Sequence, residues 1–104
     1  MFIMQKILIS GRRTDKRRLK DFAYIYQILA YLREDFEVIA KEYKVLIDNP
    51  EWKKWYKTFI RSSKEIFGTS QEDGPIGASK ILVQATPEMI CAVVNRFINS
   101  CPNI

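Results

Sequence analysis

The sequence predicts an all-α fold, a single-domain helical bundle of about four to five helices over residues 1–104. Three observations carry this. Apolar residues recur at three- and four-residue steps in four separate segments. Two similar start signals, Asn49-Pro50-Glu51 and Thr86-Pro87-Glu88, open helices. The chain has 104 residues and 47% hydrophobic content, enough for one core, with no internal repeat and no composition break that would divide it.

Residues 2–10 are an apolar run closed by Gly11. Met, Gln, Lys and Leu favour a helix there, while Ile3, Ile7 and Ile9 keep a strand open. Residues 14–33 read as a long amphipathic helix, with Thr14 or Asp15 as its cap. Leu19, Phe22, Ile25, Tyr26, Leu29 and Leu32 share its inner face. A third helix spans 35–47 and turns Phe36, Ile39, Ala40, Tyr43, Leu46 and Ile47 inward. Glu34, Asp35 and Glu37 sit at its start, where the helix dipole favours acids.

Asn49 then caps a helix from 50 to 67. Its stripe of Trp52, Trp55, Tyr56, Phe59, Ile60, Ile66 and Phe67 reads as core, and Gly68 is its stop. Lys53, Lys54 and Lys57 fall on the other, solvated face. Residues 69–85 form a loop on the strength of their glycines, proline and polar side chains. A last helix covers about 86–99, with Ile90, Val93, Val94, Phe97 and Ile98 as its stripe, and 101–104 are a tail.

The net charge of +5 is unevenly spread. From Lys6 to Lys20 there are seven cations and one acid, a net +6, so the remaining residues total −1. An anionic partner is therefore expected at this segment. Lys16, Arg17 and Lys20 stand in the opening turns of a predicted helix, where the dipole disfavours cations by a few tenths of a kcal/mol each. Lys16 and Lys20 share one helical face with Ala23 and Gln27; Arg13 and Arg17 share another. Asp21 follows the cations and is placed to orient Arg17 or Arg18 one turn away, or to shape a site.

Other chemistry is thin. No histidine occurs, which removes His-based acid–base catalysis and the usual zinc sites. Cys91 and Cys101 have no metal-ligand spacing and read as reduced thiols. Glu72 and Asp73 lack the setting of a carboxylate pair, and Gly74-Pro75-Ile76-Gly77 lacks the Gly-Lys-Ser/Thr ending of a phosphate loop. No catalytic constellation is complete. The short apolar N-terminus is interrupted by Lys6 and has its cations on the wrong side for a signal peptide. Nothing approaches the roughly 20 apolar residues of a membrane span, so a cytoplasmic protein without membrane contact is expected.

The order Gln5-Lys6-Ile7-Leu8-Ile9-Ser10-Gly11-Arg12-Arg13, then Lys16-Arg17-Arg18-Leu19-Lys20-Asp21-Phe22-Ala23-Tyr24-Ile25-Tyr26, resembles the helical C-terminal half of nucleotidyltransferase-fold proteins, the abortive-infection toxin type among them. The likeness covers residues 5–32 and extends in general character to 67. It implies a helical half that packs against a separate catalytic head and lends basic groups to a nucleotide cleft. Lys6 and Arg13 would line that cleft, and Lys20-Asp21 would occupy the family's Lys-Asp position. The family's head holds magnesium on paired acids after a Gly-Ser motif. This sequence has no Gly-Ser followed by such a pair, so magnesium is implied only with a head supplied by another protein.

The expected function is a non-catalytic helical domain that binds nucleotide or nucleic-acid phosphate through Lys6, Arg12, Arg13, Lys16, Arg17 and Lys20, with Asp21 beside them. Two other readings stay open. One is a stand-alone nucleic-acid-binding module. The other is an interaction domain, forming a homodimer or joining a catalytic-head protein through the apolar run Phe2, Ile3, Ile7, Leu8 and Ile9.

Overall fold

The computed structural model describes residues 2–12 and 17–103, except the side chains of Phe2, Gly11 and Arg12. Six α-helices account for most of these residues: α1 (Phe2–Arg12), α2 (Arg17–Tyr31), α3 (Phe36–Leu46), α4 (Pro50–Phe67), α5 (Asp73–Ile81) and α6 (Pro87–Ser100). A 3-10 turn, Arg33–Asp35, joins α2 to α3. No strand occurs among the described residues. The all-α expectation therefore holds, with six helices rather than four or five.

The start signals act as their chemistry requires. Asn49 Oδ1 accepts the Glu51 backbone N–H at 2.9 Å, and Pro50 follows as the first helical residue. Thr86 Oγ1 accepts from the Met89 N–H at 3.2 Å ahead of α6. The Thr14 and Asp15 caps expected for α2 lie outside the described residues.

Three expectations need correction. The run at 2–10 is a helix, and it continues through Gly11 to Arg12 instead of breaking there. Residues 69–85 are not one loop, because α5 occupies 73–81. Its glycines are a packing surface rather than a breaker. A Cβ on Gly74 would stand 2.6 Å from the Ile66 carbonyl oxygen, and one on Gly77 would stand 2.7 Å from a Leu19 methyl. Small residues let α5 approach α2 and α4 this closely. Nor are 101–103 a free tail: Cys101 is buried, and the Tyr56 hydroxyl donates to the Pro102 carbonyl.

One core unites the helices. α1 packs on α4 and α2, α2 along α5, and α6 against α2, α3, α4 and α5. Tyr43, Tyr56, Phe59 and Phe97 meet edge-on or tilted, with ring centres 5.7–6.4 Å apart. Phe36 extends the cluster onto Phe97, and Phe22 meets Phe67. Each fully buried ring contributes about 1.5–3 kcal/mol by leaving water. Asn95 secures the end of α4 by donating to the Phe67 carbonyl at 2.7 Å, one of the carbonyls the helix leaves unpaired.

Two further readings change. Of the apolar run, Ile3, Ile7 and Leu8 are buried in the chain's own core, while Ile9 is 43% exposed. Trp55 is not core: it is 44% exposed, beside Lys54, while Trp52 is half-buried.

Candidate functional site

Of the cations singled out in the sequence, Lys6 on α1 and Arg17, Arg18 and Lys20 on α2 lie among the described residues. α1 ends at Arg12 and α2 begins at Arg17, so the carbonyl end of one helix faces the amide end of the next. This neighbourhood explains how cations are tolerated at the start of α2. Arg18 Nε donates to the Ser10 carbonyl, in the last turn of α1, at 3.2 Å. The negative pole of α1 thus offsets the positive pole of α2. Arg18 also lies 5.1 Å from the Phe22 ring centre and reaches Asp73, at the start of α5, at 3.4 Å.

Lys6 is engaged as well. Its Nζ lies 3.1 Å from Asp21 Oδ1 and 5.4 Å from the Tyr24 ring centre. Asp21 is buried, with a side chain 5% exposed, so its charge relies on such partners. Beyond the one-turn role expected from its place after the cations, Asp21 grips a lysine fifteen residues earlier and ties α1 to α2. Nothing in local spacing signals this pair, because it bridges two helices.

Arg17 and Lys20 are exposed, and the first turn of α2 carries no acid. Arg13 and Lys16 lie outside the described residues, as does the Arg12 side chain. Acids are nearby on other elements: Arg18, Glu65 and Asp73 line a common cleft of about 250 Å³. Among the described residues no three His, Cys, Asp or Glu side chains converge as metal ligands.

At the chain's other end, burial raises Cys101, chiefly by desolvation, from 9.0 to about 12. Burial likewise raises Tyr43 and Tyr56, with the Cys101 thiol adding to both. These groups stay protonated and are structural. The Tyr43 hydroxyl is buried without a hydrogen-bond partner of ordinary geometry among the described residues.

No family model, curated protein or solved structure matches the chain. Among the described residues, no helix is long and apolar enough to cross a membrane.

Proposed function

We propose that this chain is a non-catalytic helical domain that binds nucleotide or nucleic-acid phosphate at the α1–α2 turn. The observation that carries it is the exposure of Arg17 and Lys20 at the start of α2. Arg12, Arg13 and Lys16 are contiguous with them in sequence. Arginine forks and lysine point charges suit phosphate oxygens. Lys6 and Asp21 serve this reading as the brace that fixes the turn.

The resemblance to the helical half of nucleotidyltransferase-fold proteins supplies a setting in which a separate head completes the cleft and holds magnesium. Both cysteines are free, which favours the reducing cytoplasm.

Titration with ATP, a short single strand and a duplex at several salt concentrations tests the proposal. Arg13→Ala with Lys20→Ala should weaken binding roughly ten-fold or more while leaving helicity intact. Unchanged affinity sinks the proposal, as does no binding to any of the three at low salt. Polynucleotide binding with a steep salt slope and no mononucleotide binding would select the nucleic-acid form of it.

A further inference from the structure

The cations of α4 form a second basic surface that the overall charge conceals. At about 100° per residue, Lys53, Lys54, Lys57, Arg61 and Lys64 fall within about 100° of arc, along about 16 Å of helix. Glu51 and Glu65 lie to one side of that arc. None of the five cations makes an ion pair among the described residues. Like charges at this density repel.

Beside this surface is a cleft of about 340 Å³, between α4 and the end of α6. That size lies within the range of small-ligand sites. Lys57 and Lys64 stand on one wall, and Asn99 and Asn103 on the other. Neither asparagine side chain makes a hydrogen bond among the described residues, so both amides are available as donors. Ile60 and Ile98 give the cleft an apolar strip. The far wall is held in place by the Tyr56 bond to Pro102 and by buried Cys101. No acid lines the cleft. Lys41 and Lys44 line a second groove that shares Pro102 and Asn103 with it, extending the positive field.

We infer that this cleft binds a small phosphate monoester. The lysines and asparagine amides would hold the dianion, and the isoleucines would meet the ester carbons. A walled cleft with an apolar strip favours a small ester over a polymer, whose backbone would need only the open face of α4. The inference is independent of the α1–α2 turn and uses none of its residues.

The test is an amide-resolved NMR titration of the full chain with glycerol phosphate, and with inorganic phosphate in parallel. The side-chain amide signals of Asn99 and Asn103 should shift saturably with the ester, and inorganic phosphate should bind more weakly. Lys57→Ala with Lys64→Ala should weaken the ester roughly ten-fold or more, with helicity unchanged because both side chains are exposed. Lys20→Ala should leave it unaffected. The inference is overturned if neither asparagine shifts saturably, if the double variant binds equally well, or if only an oligonucleotide produces the shifts.

Discussion

Between α1 and α2, Lys6 lies against Asp21, and Arg18 reaches Ser10 and Asp73; along α4, none of five cations makes an ion pair among the described residues. By sequence the first region holds the charge excess and the rest of the chain sums to slightly below zero. In space the ranking blurs. Part of the N-terminal excess is consumed in holding helices together. The acids that cancel α4 arithmetically lie mostly on other elements, such as Glu34, Asp35 and Glu37 before and in α3. Availability to a ligand depends on pairing and placement, and net charge reports neither.

The sharpest way to break this comparison is to remove Lys6. Lys6→Met keeps most of the apolar stem but leaves the Asp21 carboxylate buried without its lysine. The expected loss is about 3 kcal/mol in urea unfolding, as for a buried pair stripped of one partner. A loss below about 1 kcal/mol would mean the pair does not brace α1 on α2.

The second test separates the ends of the molecule by pH. Cys101 has a higher pKa folded than unfolded, so its contribution is fully present below pH 9. Above that the unfolded chain releases a proton that the folded chain keeps, up to about pH 12. Stability should therefore fall by up to about 1.4 kcal/mol per pH unit as pH rises above 9. Tyr43 and Tyr56 steepen the decline above 10, where unfolded tyrosine ionises. Cys101→Ala should flatten the curve between 9 and 10; an unaltered slope would place the alkaline sensitivity elsewhere.

The smallest effect compares single cations. Arg18→Ala should cost about 1 kcal/mol, chiefly through the Ser10 carbonyl bond and the Phe22 contact, since Asp73 is largely exposed. Lys64→Ala should change stability by less than about 0.5 kcal/mol. Equal thermal shifts for the two would erase the distinction between a bracing cation and an unpaired one.

Much of the fold was legible wherever a local signal decides the outcome. Asn49-Pro50-Glu51 and Gly68 bracket α4, and Thr86-Pro87 opens α6, because caps act over three or four residues. Trp55 was misread because helical spacing places it near the apolar stripe but does not say how far the neighbouring helices reach around α4. The Lys6–Asp21 pair was illegible for a different reason: only the packing of two helices brings those residues together. The α4 cleft needs three elements at once, α4, α6 and the chain end, and no pattern within one helix announces it.

α5 has a consequence for the order in which the molecule assembles. It has nine residues, two of them glycine and one proline, whereas an isolated helix is marginal below about 12–15 residues even with better formers. Its helicity must therefore come from docking. The surfaces of α2 and α4 that receive Gly74 and Gly77 have to exist before α5 can coil, which makes it a late arrival in folding and an early departure in local unfolding. Its amide protons should exchange with solvent well before those of α2, and Arg18, which reaches Asp73, would be the first of the bracing cations to lose a partner.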